Sequence, residues 1–228
     1  MWILPSGSGG FPATTRQRRH GGFGVLLPLA VVLGSALLGC SGSLPFQGPS
    51  TSSVSLRAAD LPGGLTRCPG SGDVGAYLAQ VKKASKAAFS TALSEWNSLR
   101  SLGATGADVE VFSSDRPACS GTLGNASSSA AIAISYVVQY KDDASASRSF
   151  GQGFLQLAPK SGQQAQGLSE GSATGLGHDS WSYTQTLQGK PIFLAYWHQH
   201  SFTAFVGVAN MSPSSGQKAA ADMNGRLE

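Results

Sequence analysis

The sequence predicts an α+β fold, a single domain with an antiparallel sheet of about five strands and helices packed on one face. Three observations predict it. Residues 130–141 alternate, with Ile132, Ile134, Tyr136, Val138 and Tyr140 on one side of a strand. Residues 181–187, 191–199 and 202–210 are strand-like runs joined by short turns. Runs with apolar residues at three- and four-residue steps, opened by Asp or Ser, frame these strands. The expected order is α–β–β–α–β–β–β–α.

Each element has its own signal. Asp73 is a helix cap, and Val74, Tyr77, Leu78, Val81, Phe89, Leu93, Trp96 and Leu99 continue one helical period to the stop at Gly103. Lys82, Lys83, Lys86 and Glu95 fall on its polar, solvated side. Residues 108–112 read as a short strand ending at the turn Ser113-Ser114-Asp115. After the strand at 130–141, Asp142 or Asp143 caps a second helix. Ala146, Phe150, Phe154 and Leu157 share its apolar face and Pro159 closes it. Residues 160–179 are rich in Gly, Ser and Gln and read as a loop with room for a short strand. Gln188-Gly189-Lys190 and a tight turn near His200-Ser201 join the last three strands. Ser212-Pro213 starts the closing helix, with Ser as cap and Pro at the first helical position, and Ala219, Met223 and Leu227 mark its core side.

The N-terminus carries an address. Arg16, Arg18 and Arg19 precede an apolar run over 23–38, and no acidic residue occurs before Asp60. This is the basic and apolar pattern of a secretory signal, and the run is shorter than the roughly 20 residues that span a bilayer comfortably. An uncleaved anchor helix is the alternative. The run ends in Leu37-Leu38-Gly39-Cys40, which resembles the lipobox of bacterial lipoproteins. The resemblance implies a diacylglyceryl thioether on Cys40 and cleavage between Gly39 and Cys40. A lipidated Cys40 would hold the chain at the membrane on its outer side, since each buried CH₂ contributes about 0.8 kcal/mol and two chains suffice for a stable anchor. The expected organisation is therefore a signal peptide over 1–39, the lipidated Cys40 with a flexible Ser/Gly/Pro tether over 40–59, and a folded domain over 60–228.

Composition narrows the partners. Only 12% of residues are charged, against roughly a quarter in an ordinary soluble domain. The formal charge of +4 includes the three signal arginines. The remainder of the chain is nearly neutral, and Lys82, Lys83 and Lys86 are its only dense basic group, short of the basic face that nucleic acid requires. Cys68 and Cys119 remain after Cys40, and an even pair in an exported chain points to one disulfide across a loop of about 50 residues, worth roughly 3–4 kcal/mol. A metal or redox pair would call for closer spacing.

With its cysteine-bearing first segment, "KDDASASRSF" as a helix start, "GLGHDSWSY" leading into a strand and a Phe-rich final hairpin, the mature chain is similar to the small extracytoplasmic α/β domains of bacterial lipoproteins and of sensor domains on membrane Ser/Thr kinases. That resemblance implies a ligand-sensing or partner-binding role. The kinase sensors usually carry two disulfides, and this chain can form one.

Catalytic signals are thin. His198 and His200 share one side of a strand, where two imidazoles can hold a transition metal, but only His178 and Asp179 offer to complete a site. No G-x-S-x-G nucleophile elbow, phosphate loop or dinucleotide fingerprint occurs, and no cofactor is expected. Seven of the 19 aromatic residues, Trp181, Tyr183, Phe193, Tyr196, Trp197, Phe202 and Phe205, fall in the C-terminal third. Phe193 and Trp197 alternate with Tyr196, so one set is surplus to a sheet covered on a single face. The expectation is a non-catalytic module that binds a small-molecule ligand or a protein partner through Tyr183, Phe193 and Trp197. An envelope enzyme or metal-binding protein using His178, His198 and His200 is the alternative.

Overall fold

The computed structural model describes residues 48–120, 129–153, 167–187 and 189–228. The lipobox with Gly39 and Cys40, and Phe154, Leu157 and Pro159 of the second expected helix, lie outside them. Among the described residues no helix is long and apolar enough to cross a membrane.

Among the described residues, five helices and eight strands succeed one another along the chain. They are α1 (Thr51–Val54), β1 (Thr66–Arg67), β2 (Gly72–Asp73), α2 (Val74–Ala84), α3 (Lys86–Ser101), β3 (Ala104–Ser113), β4 (Ile132–Tyr140), α4 (Asp143–Gln152), β5 (Leu168–Glu170), β6 (Ser180–Leu187), β7 (Lys190–Gln199), β8 (Phe202–Ala209) and α5 (Pro213–Asn224). Every pairing in the sheet is antiparallel, in the order β1-β3-β4-β8-β7-β6-β5, with β2 also paired to β3. The fold is α+β, and the sheet has eight strands rather than about five. The additional strands β1, β2 and β5 are two or three residues long, too short to show alternation.

The expected caps form. Asp73 accepts from the backbone N–H of Gly75 and Ala76, Asp142 from Ser145 at 2.7 Å, and Ser212 from Ser215. The single helix expected over 73–103 is instead two. Ser85 takes an extended conformation (φ −160°, ψ 123°), and its Oγ accepts from Ala88 N to start a second helix. A Ser inside a helical run can cap a new helix as readily as it continues the old one.

Helices cover both faces of the sheet, which corrects the expectation of one. On the front face, Phe193, Trp197, Ala204, Val206 and Val208 pack beneath Ala219, Ala220 and Met223 of α5. The approach is close: a Cβ at Gly216 would sit 2.9 Å from Val208 Cγ2 and nearer still to the Phe193 ring. On the back face, Trp96 and Leu99 of α3 and Ala146 of α4 pack on Ala107, Val138 and Tyr140. Phe150 of α4 stacks on Tyr196 at 5.2 Å.

The later part of the segment expected as a tether over 40–59 packs on the sheet. Val54 and Leu56 are buried in the front-face core, and Leu56 N donates to Ser135 Oγ. Arg226, two residues from Glu228, forks onto Asp60 at 2.8 and 3.0 Å and donates to the carbonyls of Val54 and Ser55. Residues 50–61 are thus a strap across the sheet, packed on the folded domain. Under the strap lie Asp108, Glu110 and Ser135, all buried. Arg67 pairs with Glu110 through Nε and Nη2. Burial raises the Asp108 carboxyl above its ordinary value, with Ser55 opposing the shift, and its Oδ1 has no hydrogen-bond partner. The Cys68 and Cys119 sulfurs sit 2.01 Å apart, at disulfide distance, and tie the start of the domain to the turn after β3.

Candidate functional site

The aromatic residues sort by strand alternation. Phe193 and Trp197 point to the front face, where α5 covers them; they are 2% and 0% exposed. They are core side chains and present nothing to a ligand, which corrects their expected role as contacts. The reason is the second helical layer: with both faces covered, aromatics on both faces are wanted for packing.

Tyr183 lies on the back face and remains half-buried. The register shows why it matters. Leu168 pairs with Tyr183, Tyr183 with Leu194, Leu194 with Gly207, Gly207 with Ile134 and Ile134 with Val111. This is one continuous row across six strands, and each of its five side chains is half-buried. Gly207, itself buried, sits at its middle and contributes no side chain between Leu194 and Ile134. The neighbouring row contains Trp181, Tyr196 and Phe205, which are buried, only 5%, 1% and 2% exposed. Burial holds the Tyr196 phenol well above its usual pKa. The row on the other side contains Ile192, Ala209 and Ile132, also buried. The half-covered row is therefore an apolar strip between two closed ones. Tyr183 Oη donates to Gln185 Oε1 at 3.2 Å and places a hydroxyl on its rim.

A polar cluster sits where β7 turns into β8. His198 has a side chain only 9% exposed. Its Nδ1 lies 3.1 Å from Asp179 Oδ2, and its Nε2 lies 2.8 Å from the His200 carbonyl and 3.2 Å from Asp143 Oδ1. Asp179 Oδ1 takes a second contact, from His178 Nδ1 at 2.9 Å. Hydrogen bonds from His178 and His198 hold the Asp179 carboxyl below its usual range. These polar partners of the His198 ring are all oxygen atoms. The cluster is a clasp joining the start of α4, the turn before β6 and the β7–β8 hairpin.

The three histidines do not converge as metal ligands. His198 faces carboxylates rather than the other rings, and His200 contributes its backbone carbonyl from a left-handed conformation (φ 52°). Among the described residues no group of three His, Cys, Asp or Glu is arranged to hold a metal ion. The apolar strip escaped sequence reasoning because it is a property of register, and register between six strands cannot be read along any one of them. No protein-family model, curated protein or solved structure matches this chain.

Proposed function

We propose that this chain is a lipoprotein held at the outer side of a membrane through Cys40, and that its domain is a non-catalytic module that binds an apolar ligand along the strip Leu168, Tyr183, Leu194, Ile134 and Val111. The strip carries the reading. Half-buried apolar side chains in a continuous row, with the Tyr183 hydroxyl at the rim, suit an elongated apolar molecule better than a charged one. The anchor rests on the lipobox-like end of the signal run. On this reading residues 41–49 form the tether between Cys40 and the strap. A tether of that length has a typical span of about 15–18 Å.

Two experiments test the two halves. Labelling cells with a fatty acid should mark the wild-type chain and leave Cys40→Ala unmarked; equal labelling removes the anchor. Titrating the full chain with the uncharged probe N-phenyl-1-naphthylamine should give saturable fluorescence, and Leu194→Gln or Ile134→Gln should weaken it by about tenfold, the loss of one or two methylene contacts. The probe signal is measured beside the circular dichroism of each variant. A variant that keeps its fold and binds the probe as the wild type does would remove the strip from the account.

A further inference from the structure

The helices α2 and α3 form a bent arm, and its burial is unlike that of the other long helices. Neither contains one fully buried residue, whereas α4 and α5 both do. The arm rests on the sheet through Val74, Trp96 and Leu99, which are themselves only partly buried. At its elbow seven consecutive residues, 82–88, are all exposed, and three of them are Lys82, Lys83 and Lys86. Lys82 lies over the half-buried ring of Phe89, 5.4 Å from its centroid.

Charge divides sharply between the arm and the rest. Residues 74–101 hold Lys82, Lys83, Lys86 and Arg100 against Glu95 alone. The rest of the sequence from residue 48 onward holds nine Lys and Arg against eleven Asp and Glu. A basic arm on an otherwise slightly acidic domain is turned toward anionic surfaces and away from itself.

Position adds a second argument. The arm packs on β3 from the back face, while α1, the first packed turn after the tether, contacts β3 and β4. The first turn of the strap and the arm thus share β3 as a partner, from opposite faces of the sheet. An anchor at Cys40, on the reading above, keeps the whole domain within reach of the headgroups.

We propose that the α2–α3 elbow docks on an anionic lipid surface, with Lys82, Lys83 and Lys86 at the headgroups and Phe89 at the apolar boundary. This rests on the anchoring reading above for its orientation, and on the arm's own charge for its attraction.

The test mixes the full chain, purified from the membranes of the cell that makes it, with vesicles of phosphatidylcholine alone and with vesicles enriched in phosphatidylglycerol. It reads sedimentation with the vesicles and acetylation of each lysine by a membrane-impermeant reagent. Lys190 and Lys218 serve as internal references. The expected result is that Lys82, Lys83 and Lys86 become at least about fivefold less reactive than the references on anionic vesicles only, and that high salt restores them. Combined Lys82→Glu, Lys83→Glu and Lys86→Glu should lower the preference for anionic vesicles by about a hundredfold, since each lysine contributes roughly a factor of five.

Four outcomes separate the ideas. Sedimentation with both vesicle types and shielding on the anionic one supports anchor and arm together. Sedimentation and shielding on anionic vesicles alone supports the arm and overturns the anchor. Sedimentation with both types and equal lysine reactivity overturns the arm, as it would if the elbow serves an acidic protein instead. Sedimentation with neither overturns both.

Discussion

Helix α5 and the α2–α3 arm obey the same rule of apolar spacing and end in opposite conditions. Ala219, Ala220 and Met223 of α5 are 0%, 1% and 0% exposed, while no residue of the arm is fully buried. The difference lies in what each helix meets. α5 presents Gly216 and small alanines, which let its axis come close to Phe193 and Val208. The arm meets the sheet beside β3, whose remaining partners β1 and β2 are two residues each, so there is little sheet beneath it. Periodicity therefore shows which side of a helix turns inward, and the surface available decides how far it sinks.

The sharpest way to break this contrast is a pair of tryptophans. Trp197→Ala, in the α5 core, should lower the unfolding free energy by about 3–5 kcal/mol in urea titration. A loss under about 1 kcal/mol would mean that the front face is not the core. Next in size is Arg226→Ala, expected to cost about 3 kcal/mol, because it strands Asp60 without its partner and frees the carbonyls of Val54 and Ser55. Limited proteolysis should then cut within residues 50–61 first. Gly216→Ala should cost about 1–3 kcal/mol by pushing α5 off the sheet; an unchanged melting temperature would show that the helix has slack. In the arm, Trp96→Ala should cost only about 1 kcal/mol, in keeping with its partial burial.

The smallest effect is one of pH. Asp108 is buried, and its carboxyl is raised above the ordinary value, so the folded state holds the proton more tightly than the unfolded state does. Stability then falls as pH rises from the ordinary carboxylate value through the raised one, and the full penalty is present above it. Asp108→Asn should raise stability at neutral pH by under about 1 kcal/mol and lose that gain as pH falls into the acid range. A gain that stays constant with pH would assign the effect to packing instead.

Much of this architecture was legible. The caps Asp73, Asp142 and Ser212, the long strands β4, β6, β7 and β8, and the Cys68–Cys119 pair arise from local chemistry, and each residue carries its own signal. What was missed depends on partners distant in sequence. The short strands β1, β2 and β5 exist only because β3 and β6 offer them an edge. The strap reads as tether because Ser, Gly and Pro dominate it, and what holds it is distant in sequence: Ser135 for Leu56, and Arg226, 166 residues from Asp60. Trp181 and Tyr196 on one face, with Phe193 and Trp197 on the other, were the visible sign of a sheet covered twice. The candidate strip lay out of reach for the same reason: Leu168 and Val111 are neighbours in a row only after four strands are placed between them.

The guanidinium of Arg226 has a further consequence for how the molecule is made. A ribosome delivers residues 54–60 long before residue 226, yet these groups fasten one another. Nascent chain can form hairpins and helices while it emerges, but the bolt that locks residues 54–60 arrives only after all eight strands have been made. Until then the leading segment stays unlatched and available to whatever machinery handles it.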